Sequence, residues 1–175
     1  MRMAVAAALF ALAAAPAAAQ VTVAAGEAVT VRVAEDAKTA PDILERSPAQ
    51  WNALDVESAR QLVSLDAAGD PAASGPNMIP VFSDTPAPPI PTGALRFKIL
   101  SIAGRHTILV IENGLEQGLV YRATLSSGGQ EAATDVCLVM PNRRGYEHWP
   151  YPIDRIVLSD LRLVAWQEGD PVPCE

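Results

Sequence analysis

Apolar and polar residues alternate along much of this chain, and the alternation predicts strands. Val29, Val31 and Val33 share one parity, with Thr30 and Arg32 on the other, which is the two-residue period of a half-buried strand. Leu95, Phe97 and Ile99 alternate with Arg96 and Lys98, and Leu119, Tyr121, Ala123 and Leu125 alternate with Val120, Arg122 and Thr124. Residues 107–111 are mainly apolar on both parities, so that strand is expected to lie centrally with both faces covered. Residues 134–140 read as a further strand, and residues 153–166 as one or two more. In the latter the apolar parity shifts between Ile156/Leu158 and Leu161/Leu163, which predicts a bulge or tight bend at Ser159-Asp160.

The breaks between these runs carry turn chemistry. Ala103-Gly104-Arg105, Asn113-Gly114 and Gly128-Gly129 each supply residues that tolerate positive φ. Ser47-Pro48-Ala49-Gln50 has the form of a capping box with proline at the first helical position, so a short helix is expected to begin there. Asp55 is expected to cap a second turn whose face is Val56, Ala59, Leu62 and Val63. No crossover helices separate the later strands. The expected fold is therefore mainly β: an antiparallel β-sandwich, immunoglobulin-like in outline, with a short helical N-terminal segment. The expected organisation is a leader over 1–19, a strand and helix segment over 20–69, a proline-rich linker or strap over 70–93, and the β-sandwich domain over 94–175. Such a fold class implies no particular function.

The leader changes the picture most. Arg2 gives a positive start, residues 4–15 are free of charge, and Ala17-Ala18-Ala19 precede Gln20. This is the layout of a secretory signal peptide cut after Ala19, and its apolar run is shorter than the roughly 20 residues a spanning helix needs. The expected location is periplasmic or secreted, with no membrane span after cleavage. The alternative is an uncleaved anchor. In an oxidising compartment Cys137 and Cys174 allow one intramolecular disulfide. A metal pair or redox pair lacks the Cys-x-x-Cys spacing.

The chain carries thirteen Lys and Arg against twenty Asp and Glu, a net charge of −7, and Arg2 would leave with the leader. A surface of that sign repels nucleic acid, which needs clustered cations to neutralise phosphate. No phosphate-cradling glycine loop and no Gly-x-Ser-x-Gly elbow occurs, and no cofactor is expected.

The densest chemistry lies in residues 142–152, read as a loop. Arg143 and Arg144 suit acidic or carboxylate groups. Tyr146, Trp149 and Tyr151 offer aromatic faces to a sugar ring or a protein partner. The competing reading makes those aromatics a hydrophobic plug closing one end of the sandwich. The expected function is non-catalytic: binding an envelope protein or glycan of a bacterial cell. A second reading is a small secreted hydrolase or metal-dependent enzyme built on His106 or His148, the chain's two histidines. A third is a structural envelope component held by a free strand edge.

Overall fold

Nine strands and one helix form from these patterns in the computed structural model, which describes residues 20–34, 39–67 and 83–174. The strands are β1 (Gln20–Ala24), β2 (Glu27–Arg32), β3 (Asp42–Pro48), β4 (Leu95–Ile102), β5 (His106–Asn113), β6 (Gly118–Ser127), β7 (Gln130–Thr134), β8 (Arg143–Trp149) and β9 (Arg155–Val164). The helix α1 is Ala53–Ala67. All strand pairs are antiparallel and make two sheets, one of order β1-β9-β6-β7 and one of order β3-β2-β4-β5-β8. The two sheets pack as a β-sandwich. The expected leader over 1–19 and the proline-rich residues 70–82 lie outside the described residues.

The core between the sheets takes one parity from each strand. Val29 and Val31 of β2, Phe97 and Ile99 of β4, Leu109 and Ile111 of β5, Tyr121 of β6, and Ile156 and Leu158 of β9 are all buried there. β1 pairs with β9 and β2 pairs with β4, so the first two strands are woven into the sandwich. The bulge expected at Ser159-Asp160 is present. The register jumps between Val120 and Arg122 opposite it, and Asp160 sits at φ 50°.

β5 is buried along its whole length. One of its faces meets the other sheet. On the opposite face Ile108 and Val110 join Leu100 and Ile102 under Ala59 and Val63 of α1. The helix starts later than the Ser47 box predicts. Ser47 and Pro48 instead complete β3, opposite Ala28 and Glu27. The working cap is Asn52: its Oδ1 accepts from the Asp55 N–H at 3.0 Å, and Asp55 Oδ2 accepts from the Asn52 N–H at 3.1 Å. This reciprocal pair satisfies two helix-end donors, as a capping box does. Asp55 is thus the third helical residue rather than a cap. The sequence placed the right motif one box too early.

Residues 83–94 cross this outer face as an extended strap. It is held at Ala53, whose N–H donates to the Thr85 carbonyl at 2.8 Å, and at Trp51, whose carbonyl accepts from Ser83 Oγ at 3.0 Å. At its far end it closes on the β5–β6 turn. A Cβ on Gly114 would stand 1.7 Å from the Pro91 carbonyl oxygen, so the close approach there requires glycine. The expected strand over 134–140 also differs. Regular pairing ends at Thr134, and the following residues make only the isolated bridges Leu119–Val139 and Cys137–Cys174. The latter bridge carries the disulfide, with a Cα–Cα distance of 3.9 Å.

Candidate functional site

Of the residues expected to form one binding loop, Arg143, Arg144, Tyr146 and Trp149 lie on strand β8, which makes seven register pairs with β5. The alternation of a strand then sends neighbouring side chains to opposite faces. Arg144 and Tyr146 face outward, toward the strap and α1, whereas Trp149 enters the core between the sheets. Trp149 is 7 % exposed, and its Nε1 donates to Thr134 Oγ1 at 3.3 Å. Its ring is packed and its donor used, so it presents no open face to a sugar. Tyr151 lies beyond the strand and is exposed. Arg143 is exposed and lines a separate depression of about 330 Å³ with Glu116, Met140, Trp166 and Glu168. The structure therefore divides Arg143, Arg144, Tyr146, Trp149 and Tyr151 among four surroundings.

Glu147 shares the inner parity of Trp149. It accepts from the Cys137 N–H at 3.3 Å. Burial holds its carboxyl above the ordinary value of 4.5, the Cys137 bond opposes this, and Asp135 adds to it. The buried Tyr121 phenol is likewise pushed up, first by burial and then by Glu147. For a carboxyl raised by folding, the native state favours the neutral form. Its contribution is present below pH 4.5 and is lost as pH rises through the raised value. Glu147→Gln should therefore melt at a higher temperature than the parent at pH 7, and the gap should close as pH falls toward 4.5. Thermal melts across pH check this.

His106 and His148 come together. His106 Nδ1 and His148 Nε2 are 3.1 Å apart, with ring centroids 5.2 Å apart and planes at 15°. The centroid separation is close to the N···N distance plus both ring radii, so the rings meet edge to edge. One nitrogen holds the proton and the other accepts it. Among the described residues no group of three or more His, Cys, Asp or Glu could hold a metal ion.

The outer face of the five-stranded sheet holds the most developed site, and residue pairing explains its layout. Registers align Glu45, Thr30, Arg96, Glu112 and Arg144 in one row across β3, β2, β4, β5 and β8. The next row is Ser47, Ala28, Lys98, Val110 and Tyr146. Glu112 is shared: Oε2 accepts from Arg96 Nη1 at 2.8 Å and Oε1 from Arg144 Nε at 3.0 Å. Arg96 Nε also donates to Thr30 Oγ1 at 3.3 Å. Lys98 Nζ donates to Asp55 Oδ2 at 2.6 Å and to the Gln50 carbonyl at 3.3 Å, which ties the start of α1 to the sheet. Arg144 reaches the strap through a short hydrogen bond to the Pro88 carbonyl. Burial pushes the Tyr146 phenol beside this network above its usual range.

Above these rows opens a pocket of about 290 Å³. Arg96, Lys98 and Glu112 form its floor, Ser47, Pro48, Gln50, Trp51 and Asn52 one wall, and Thr85, Pro86 and Pro88 of the strap another. The side chains of Ser47, Gln50 and Thr85 line it, and no hydrogen bond engages them among the described residues. Sequence reading found Arg144 but missed Arg96, Lys98, Glu112 and Asp55. The available signal was two cations, Arg96 and Lys98, alternating with the apolar Leu95, Phe97 and Ile99. No family model matches this chain, and neither a curated protein nor a solved structure matches it.

Proposed function

We propose that this chain is an exported, non-catalytic binding protein that takes a segment of an envelope protein into the pocket under the strap. The observation that carries the reading is the pocket itself, where a floor of paired charges meets the side chains of Ser47, Gln50 and Thr85, which make no hydrogen bond among the described residues. Small sites of this kind fix orientation with a few placed polar groups among apolar walls, and Trp51, Pro48 and Pro86 supply those walls. Export is supported by the Cys137–Cys174 bond, since such bonds persist in oxidising compartments. Among the described residues no helix is long and apolar enough to cross a membrane.

The test is site-specific crosslinking in intact cells, with a photoreactive side chain at Gln50, at Thr85 or at Tyr151. A discrete protein adduct is expected from Gln50 and Thr85. It should disappear with Ala28→Leu, which fills the pocket from its floor. Adducts formed only from Tyr151, adducts unaffected by Ala28→Leu, or adducts to glycan alone would each defeat the reading.

A further inference from the structure

The charges lining the pocket cancel: Glu45 and Glu112 stand against Arg96 and Lys98. Three of the four are already engaged. Glu112 Oε2 accepts from Arg96 and Oε1 from Arg144, and Lys98 is paired with Asp55. A ligand with a net charge would meet no opposite excess there to offset its lost hydration. A group without net charge carries no such cost.

The hydrogen-bonding capacity that remains is sorted by strand. The pocket opens over Ala28 of β2, whose short side chain leaves a gap between Ser47 of β3 and Lys98 of β4 in the same row. In the next row Thr30 lies between Glu45 of β3 and Arg96 of β4. Two strand spacings, roughly 9.5 Å, separate β3 from β4. Two donors are left on the β4 side. Arg96 spends Nε on Thr30 and Nη1 on Glu112, which leaves Nη2 without a hydrogen bond among the described residues. Lys98 gives two of its three protons, to Asp55 and to the Gln50 carbonyl. Two acceptors are left on the β3 side, the Glu45 carboxylate and the Ser47 hydroxyl, and neither is hydrogen-bonded among the described residues. The gap is thus polarised across its width.

From this polarity we infer that the pocket holds one primary carboxamide, the side chain of an Asn or Gln on the partner, an inference that rests on reading the pocket as the binding site. A carboxamide oxygen has two lone pairs, and its NH2 group has two donors. With the oxygen turned toward β4 it accepts from Arg96 and Lys98, and the NH2 group donates to Glu45 and Ser47. A main-chain amide has one N–H and a hydroxyl one O–H, so each leaves an acceptor unmet. A carboxylate brings no donor for the β3 side and sets its charge against Glu45. An ammonium brings no acceptor for the β4 side and meets two cations there. The carbon stem of the carboxamide would lie along Trp51 and Pro48. Gln50 and Thr85 at the rim are in place to bond the partner's main chain.

The experiment is an NMR titration of the full chain with the acetyl, N-methylamide derivatives of Gln, Asn, Glu, Lys and Met, caps that add no second primary carboxamide. The Gln or the Asn derivative should shift the amides of Ser47, Gln50, Thr85 and Lys98 saturably, and the tighter of the two gives the stem length. The Glu, Lys and Met derivatives should bind at least about tenfold more weakly. Ala28→Leu, which leaves every ion pair intact, should weaken the carboxamide derivative about tenfold. Glu45 is exposed, so Glu45→Gln tests specificity without disturbing the core. It removes a charged acceptor and leaves the lining with a positive excess, and should shift the affinity ratio of the Gln to the Glu derivative about tenfold toward Glu. A Met derivative bound as tightly as Gln and Asn, a Glu or Lys derivative bound more tightly, an unchanged ratio in Glu45→Gln, or no shift in this patch at about 20 mM ligand would overturn the proposal. If these derivatives fail while the Gln50 and Thr85 crosslinks persist, the carboxamide assignment falls alone. If they bind as expected and the crosslinks are absent, the protein-partner reading falls and the carboxamide site stands.

Discussion

Replacing Cys137 and Cys174 together by serine is expected to cost roughly 4 kcal/mol of stability. The bond closes a separation of 37 residues, and loop-closure entropy for a span of that size gives this figure. A domain of this length has a net stability of about 5–15 kcal/mol, so the loss is a large fraction of the whole. It should lower the melting temperature by roughly 10 °C. What remains to hold the tail is modest: Leu138 N–H to the Pro173 carbonyl at 2.9 Å, and Trp166 Nε1 to the Pro171 carbonyl at 3.2 Å. Calorimetry of the double variant, and of the parent with and without reductant, measures the effect. A drop of under about 3 °C would mean that these two hydrogen bonds suffice and that the covalent link adds little.

The second large effect is expected from Glu112→Ala. Removing one partner from a buried ion pair costs about 3–5 kcal/mol, because the partner's charge is left unpaired. Glu112 serves two guanidiniums that keep some access to water, which places the expected cost near the lower end, about 3 kcal/mol. Replacing the whole row by apolar residues should behave differently. A triple variant with Val at 96, 112 and 144 removes the desolvation cost along with the attraction and should recover most of the loss. Urea melts of both variants provide the comparison. A triple variant as stable as the parent would mean that the row is not kept for stability. A triple variant as damaged as Glu112→Ala would make the row a structural brace.

The strand alternation was legible because a two-residue period needs only local information. The faces of β2, β4 and β6 and the bulge at Ser159-Asp160 follow from it, and the apolar face of α1 follows from the equally local spacing of three and four residues. β8 was misread as a loop because its composition resembles one, with Gly145 inside it and Pro150 and Pro152 just beyond. Gly145 has a packing reason: a Cβ there would come within 2.9 Å of Val139 Cγ2. The helix start was misplaced because Ser47-Pro48 fits a cap as well as it fits a strand end. Pairing to Ala28 and Glu27 decides between them, and that pairing is non-local.

The pocket was illegible for a related reason. Lys98 and Asp55 are 43 residues apart, and Arg96 and Arg144 meet only through Glu112. Lysine and arginine on one strand face read most simply as a solvated surface. Only the strap and α1 folding over that face turn it into a half-buried charged layer. The aromatic cluster misled in the opposite direction. The local density of aromatic, cationic and proline residues suggested a recognition role for Trp149, but its neighbours in space are the residues of the core, as the plug reading has it.

The pairing of β1 with β9 sets an order on how this polypeptide can mature. The first strand of the sandwich finds its ladder partner in residues 155–164, so its sheet cannot close until those residues have been made. Contacts of such wide sequence separation slow folding. β1 therefore waits without its ladder partner while β2, β3, β4 and β5 can already pair among themselves.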